Sequence, residues 1–548
     1  MKRIPYTTTA VGLSALVVLS GCGAQPASSG TVEAVSSATE ETAVTTASAA
    51  GTDSLFSERD LQGTYDESSA IPIQLNGDSA ACDAEGVTIE GSRVTIGQEG
   101  VYLLSGTLTD GQIVVDAGET DKVQLVLAGA DITSSTSAAL YALEADKVFV
   151  TLAPGTENTL TNGGEYIALD DNNIDAVLFA KTDLTLNGTG SLTVNAQAGH
   201  GVVSKDDLVI TGGSYTITAA SHGLSGKDSV AIADGSFTIT AGKDGIHAEN
   251  GDDLSLGSLS IVDGSFTITA QGDAISAQGA LQIDGGTFAL YTGAGSASVD
   301  MTTAQASQPG ARGQAEATSA ATEEETASQK GIKGESGFTI AGGTFTIDSA
   351  DDCLHAGGAM TLAAGTFTLN SGDDAIHCDD ALTIQSGTFT IPYCYEGIEG
   401  ASITIEDGTF DITANDDGLN AAGGADSSGF GGFGKGPQDT FASGSDSFIT
   451  INGGSLTVVS SGDCVDSNGD LTINDGALEL TCNGSGDTAL DCDGSYTNNG
   501  GNVSTNDGSE SNPGQMGGGK NGDQSGGRQK GSAEGSTWPD GQTGATGS

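Results

Sequence analysis

The stretch NSGDDAIHCDDALTIQSGTFTI, residues 370–391, is one copy of a 22-residue unit that recurs through the second half of the chain. A period this short constrains the fold strongly. Each unit is too small to bury its own apolar face and must stack on its neighbours. Units begin at Leu184, Leu208, Val230, Leu259, Leu281, Phe338, Met360, Leu382, Ile403, Ile449 and Leu471. The intervals are 24, 22, 29, 22, 57, 22, 22, 21, 46 and 22, so the long ones read as insertions into a 22-residue period.

Within one unit Met360-Thr-Leu alternates, Ala-Ala-Gly turns, and Thr366-Phe-Thr-Leu alternates again. After Asn-Ser-Gly-Asp-Asp comes a third alternation, Ala375-Ile-His-Cys. These are three period-2 strands separated by Gly- and Asp-rich corners. Strands so short are unstable alone, but stacking buries their Leu/Ile, Phe and Ile/Val columns in one interior. The expected fold is all-β: a right-handed, three-faced parallel β-helix with about 22 residues per turn. A propeller would need a period of about 40 residues. Apolar runs at 87–96, 102–108, 112–115, 123–127 and 148–152 read as irregular early turns. The β-helix is expected over residues 58–500, with insertions at 293–336 and 422–447. Both insertions read as surface loops on a rigid scaffold.

The 73 acidic residues against 17 Lys and Arg give a net charge of −56. That excludes a nucleic-acid partner and electrostatic docking on anionic lipid, and it makes cations the natural partners. At the start, Lys2 and Arg3 precede a short apolar run, residues 11–19, that leads into Leu19-Ser20-Gly21-Cys22. This resembles the bacterial lipoprotein lipobox. The resemblance implies a signal peptide over 1–21, lipidation at Cys22, and an exported protein anchored to the cell membrane and facing the exterior. Residues 22–57 and 501–548 have the composition of a disordered tether and tail. Seven cysteines remain after Cys22, an odd number that argues against a complete disulfide framework. None forms a C-x-x-C pair, which argues against zinc.

The third corner carries the chemistry. Two residues before the inward aliphatic stand His200, His222, Asp244, Asp273, Asp352, Asp374, Glu396, Asp417 and Asp463. Asp351, Asp373 and Asp416 supply a second acid just before three of them. On adjacent turns these groups would lie about 4.8 Å apart, the strand spacing. Each like-charged pair then repels by about 0.9 kcal/mol in bulk water, and several-fold more at a crowded surface. Residues 338–500 hold 25 acids and one base, Lys435, so no protein cation is expected to compensate. Calcium, which takes six to eight oxygens, would resolve the repulsion, and these acids read as a rack of Ca²⁺ ligands. Against this stands the ordinary preference of Asp for turns, with salt screening the charge. His247, His355 and His377 follow the aliphatic by one residue and are expected to face outward, as surface histidines or sugar contacts. Tyr166, Tyr393 and Tyr395 are the aromatic faces on offer for a sugar.

GHGVVSKDDLVITGGSYTITAASHGLSGKDSV (199–230) is followed by KDGIHAEN (243–250). With GVYLLSGTLTDGQIVVDAGETDKVQLVLAGADIT (100–133) and DKVFVTLAPGTENTLTNGG (146–164), it resembles the bacterial carbohydrate-binding β-helix proteins related to pectate lyases. The resemblance covers about 85–500. It implies an exported β-helix that binds calcium and polysaccharides, including cellulose and acidic sugars such as polygalacturonate. The leading expectation is non-catalytic, calcium-dependent binding of acidic polysaccharide. The first rival is a pectate-lyase-like enzyme, for which Lys205, Lys227 and Lys243 are the bases near the ladder. The second is an adhesive surface protein using the outward Ser/Thr pairs of the middle strand, such as Thr366/Thr368. Threonine is also simply a good residue for a solvated strand.

Overall fold

The repeat folds as its period demands. The computed structural model describes residues 55–167, 172–301, 328–422 and 447–513. Cys22, the signal segment, most of the two insertions and most of the tail lie outside the described residues. Strands of two to thirteen residues join one long sheet in which those of the regular coils pair with their equivalents one coil before and one coil after. The pairing is parallel except at the N-terminal end. There Ile71–Gly77 takes Ala80–Ala81 antiparallel, and Val87–Glu90 folds back on Arg93–Ile96, covering backbone that an open edge would expose.

Three columns fill the interior. Along the first face Leu184, Leu208, Val230, Leu259, Leu281, Phe338, Met360, Leu382, Ile403, Ile449 and Leu471 are consecutive register partners. The third face aligns Val202, Leu224, Ile246, Ile275, Ile332, Leu354, Ile376, Ile398 and Leu419.

The second face stacks one ring per coil from Tyr215 through Phe237, Phe266, Phe288, Phe345, Phe367 and Phe389 to Phe410. Centroids there are 4.7–5.2 Å apart and planes lie within 13° of parallel. Two residues before each Phe the corner turns on a glycine. A Cβ on Gly365, whose φ is +142°, would sit 2.7 Å from the Phe367 ring, so the stack and the glycine require each other. Phe367→Leu keeps the apolar volume but loses both ring neighbours. It is expected to cost about 1–3 kcal/mol, read from the denaturant midpoint.

Three boundaries differ from the sequence expectation. Ile332–Gly334 is a strand in register with Ile275–Ala277, so the chain rejoins the solenoid before residue 336. Its short apolar signal, Ile332 alone, was hidden by the polar run preceding it. Asn502–Thr505 pairs with the Ala477–Cys482 strand, carrying the solenoid past residue 500. Phe56, assigned to the tether, packs instead with Val209 and Ala231. Nearby Asp60 is 2% exposed and bonds Lys147 at 2.9 Å and Thr185 at 2.6 Å.

Candidate metal and ligand site

The third corner is built by backbone geometry first. Each coil turns sharply before its third strand, and the amide N–H at that point faces the coil below. The side chain on the rung below accepts it. Asp273 N–H donates to Asp244 Oδ1 at 2.9 Å, Lys330 N–H to Asp273 Oδ1 at 2.7 Å, and Asp374 N–H to Asp352 Oδ1 at 3.1 Å. Glu396 N–H reaches Asp374 Oδ1 at 3.2 Å, and Asp463 N–H reaches Asp417 Oδ1 at 2.6 Å. Thr488 N–H likewise bonds Asp463 Oδ1. The imidazoles do the same work earlier, His200 Nδ1 accepting from His222 and His222 Nδ1 from Asp244, both at 3.3 Å. An acceptor at this position satisfies the amide of the next coil at these eight steps, whereas Asp352 N–H, which follows Lys330, donates to Asp351 Oδ1 at 3.0 Å. At these carboxylates one oxygen is thereby committed to backbone, and the second remains for other partners.

The rung between Asp273 and Asp352 is Lys330, which corrects the expectation that no protein cation stands near the ladder. Its Nζ lies 2.8 Å from Asp351 and 2.7 Å from Asp352. Burial disfavours the ammonium, but the two carboxylates outweigh burial and raise its pKa. Burial likewise opposes ionisation of Asp352, yet Lys330 and His355 hold it well below the usual carboxylate range. The polar run that hid Ile332 hid Lys330 as well. The pattern Lys330-Gly-Ile-Lys-Gly matches Asp244-Gly-Ile-His-Ala once the two are aligned.

Downstream of Lys330 the ladder changes character. Asp374, Glu396 and Glu399 are each at most 2% exposed. Burial, then the charge of Glu399, pushes both Asp374 and Glu396 well above the ordinary carboxylate range. Asp417 is raised by burial and then by Asp416, and Asp463 reaches about 7, chiefly through burial. Asn420 donates to Glu396 Oε2 at 3.1 Å, while Glu396 Oε1 is buried without a hydrogen-bond partner. His377, expected to face outward, is 1% exposed on its side chain. Its Nδ1 lies 3.1 Å from Asp374 and 2.7 Å from Glu399, and its Nε2 lies 2.9 Å from Asp379. Asp374 and Asp379 of its own coil and Glu399 of the next one surround the ring, and the burial by Glu399 is something no single repeat reveals. His377 is therefore a buried link in the carboxylate cluster and cannot serve as a surface contact. His355 keeps some exposure, with Nδ1 2.9 Å from Asp352.

Tyr395 is also buried and donates its hydroxyl to Asp416 at 2.6 Å, which removes it as a stacking platform. Tyr393 remains half-exposed. Glu399 and Asn420, which the sequence reading passed over, belong to the outward column of the third strand that also holds His247, Lys333, His355 and His377.

Upstream the corner opens into a cavity of about 860 Å³. Its wall includes His222, Asp244, His247 and Asp273, the amides of Gln271, Gln278 and Gln329, and the ammonium groups of Lys243 and Lys333. A smaller cavity of about 260 Å³ beside it is lined by His200, Lys205 and Lys227. Glu249 and Glu335 also line the larger cavity, and Lys333 Nζ pairs with Glu335 at 2.5 Å, so lysines and carboxylates are interleaved there.

The fold and corner together define a parallel β-solenoid with an acidic spine and a polar cavity lined by both lysines and carboxylates. The chain belongs to the family of carbohydrate-binding domain-containing proteins, whose profile matches residues 90–375 and 373–521. It is 40% identical over 141 residues to a carbohydrate-binding domain-containing protein of Acetivibrio thermocellus, covering 25% of this chain and 49% of that one. The chain thus spans about half the length of that curated relative. Among solved structures it is similar to a polysaccharide lyase-like protein from C. thermocellum, described as a gadolinium derivative. The identity is 37%, the match covers 41% of this chain and 92% of that one, and the TM-score is 0.39.

Proposed function

We propose that this protein is a non-catalytic, calcium-dependent binder of acidic polysaccharide, displayed outside the cell on a lipid attached at Cys22. The observation that carries the reading is the 860 Å³ cavity, where Lys243 and Lys333 stand among side-chain amides and carboxylates on a strongly acidic molecule. Amides suit sugar hydroxyls, and ammonium groups suit uronate carboxylates. Among the described residues few stacking faces are exposed, which favours polygalacturonate-like chains over cellulose.

Calcium fits the downstream cluster on chemical grounds. Asp374, Glu396 and Glu399 offer oxygen ligands, as hard cations require, and Glu396 Oε1 is a buried acceptor lacking a hydrogen-bond partner. The more exposed Asp373, Asp416, Asp417 and Asp463 extend the rack outward. The burial of the inner acids gives calcium a role in holding the coils together.

The lyase alternative asks for a neutral base beside the metal. Lys330 stands nearest the acids, but Asp351 and Asp352 keep it protonated. Lys333 is likewise raised, with burial opposing and Glu335 and Asp273 prevailing.

Replacing Lys243 and Lys333 together by Ala should weaken polygalacturonate retention about ten- to a hundredfold, the worth of one charge-assisted hydrogen bond. Affinity electrophoresis with calcium and with chelator reads this out. Unchanged retention in the double variant, or unsaturated product accumulating with time, would defeat the proposal.

A further inference from the structure

The acids of the corner do not form one kind of metal site. We infer that His222, Asp244 and His247 form a separate, open site for a borderline divalent ion of the zinc class, set in the wall of the ligand cavity. This separates Asp244 from the calcium rack of the downstream coils.

Three side-chain atoms from three strands or corners converge here, all within 4.8 Å of one another. Asp244 Oδ2 lies 3.3 Å from His222 Nδ1 and 2.8 Å from His247 Nδ1. Ligands sharing one zinc-class ion at about 2.0–2.1 Å stand about 2.9–3.4 Å apart, so the spacing already suits an ion between them.

The hydrogen bonds show what an ion would displace. His222 Nδ1 accepts the Asp244 amide N–H at 3.3 Å, a long contact that an ion at this nitrogen would replace. His247 holds Glu249 Oε2 at 2.9 Å through Nε2. Its Nδ1, though 2.8 Å from Asp244, is buried and misses hydrogen-bond geometry. His247 Nδ1 and Asp244 Oδ2 therefore face each other at 2.8 Å with no hydrogen bond formed, a gap that a cation can bridge.

The supports for such a site are in place. Glu249 on Nε2 is the carboxylate that orients a metal-binding imidazole and strengthens its basicity. Asp244 Oδ1 is pinned by the Asp273 amide, which aims Oδ2 at the gap. The His222 ring is held between His200 at 5.0 Å and His247 at 4.2 Å. Three protein ligands beside a cavity leave positions open for water or a sugar oxygen.

Two imidazoles and one carboxylate suit zinc, nickel or copper and are a poor set for calcium. The missing C-x-x-C pairs argue only against a thiolate site. The other imidazole pair, His355 and His377, differs because Lys330 already supplies the cation at Asp352.

The test titrates chelator-stripped full-length protein with Zn²⁺ and, separately, Ca²⁺ by calorimetry. Wild type should take up one Zn²⁺ that excess Ca²⁺ does not displace. His222→Ala with His247→Ala should weaken zinc at least a hundredfold and leave calcium uptake unchanged. Glu396→Gln should do the reverse, and Glu249→Gln should weaken zinc about tenfold. Co²⁺ added to unmodified protein should give d–d absorption of a site with nitrogen ligands, a readout that needs no variant to fold. No saturable zinc uptake, zinc displaced by calcium, or zinc indifferent to both histidines would each overturn the assignment. None of these results bears on glycan retention through Lys243 and Lys333, so the two readings fail separately.

Discussion

Calcium-free protein should melt at its highest temperature at about pH 5 and several degrees lower at pH 8, and calcium should restore the loss at pH 8. The reason lies in the buried acids of the downstream coils. Asp374, Glu396 and Asp417 keep their protons well above the ordinary range, Asp463 to about 7 and Asp273 to about 6. An unfolded chain releases those protons near pH 4. From there upward the folded state binds more protons than the unfolded one, so stability falls as pH rises through the folded values. His377, also raised, loses its contribution in the same direction.

Two histidines offset part of this trend. His200, lowered to about 3 mainly by burial, and His355, lowered likewise, cost stability once unfolded histidine protonates below about pH 6.5. Asp244 and Asp352 are held low by their partners against burial, so their contribution is constant from pH 5 to 8.

Calcium takes the place of the protons. At a hundredfold its Kd it should add about 2.7 kcal/mol at pH 8, and far less at pH 5, where protons compete. Asp374→Asn retains an oxygen to accept the Glu396 amide while removing a charge. It should raise the calcium-free melting temperature at pH 8 and reduce the calcium gain. Differential scanning calorimetry across pH with EDTA or Ca²⁺ decides the matter. A flat pH profile with no calcium response would sink the account of this corner.

Lys330→Met should destabilise the central coils by about 3–5 kcal/mol, the cost of leaving a buried carboxylate without its partner. Asp352 is 4% exposed and depends on Lys330 Nζ at 2.7 Å. Adding Asp352→Asn to Lys330→Met should recover most of the loss, because the amide retains the acceptor for Asp374 N–H without the charge. Excess Ca²⁺ should also rescue the single variant in part, by supplying the missing cation at Asp351 and Asp352. Stability in a solenoid is local, so the measurement is hydrogen exchange in the strands Leu354–Ala356 and Ile376–Ile384. Unchanged protection there would show that the ion pair is incidental.

The site was only partly legible in advance. Asp244, Asp273, Asp352, Asp374, Glu396, Asp417 and Asp463 do stand at one position of successive coils, as the spacing predicts. Which oxygen each has to spare was not legible, because that depends on the amide of the next coil. Lys330 and Lys333 were missed because a long insertion breaks the period immediately before them. Glu399 and Asn420 were missed because one repeat gives no sign that their column is buried beside His377.

What the sequence determined alone was the coil: the 22-residue period, alternation within each strand and a glycine before each aromatic ring dictate stacked parallel strands, since no shorter-range arrangement buries those columns. Charge count likewise pointed to cations without a structure. Only the tertiary structure decided which acids are buried, which are paired with Lys330 or histidine, and where the cavity opens. Those properties belong to contacts between neighbouring coils and their insertions. The distance of a carboxylate from its nearest cation, unlike its place in a repeat, is set by residues 20 or more positions away.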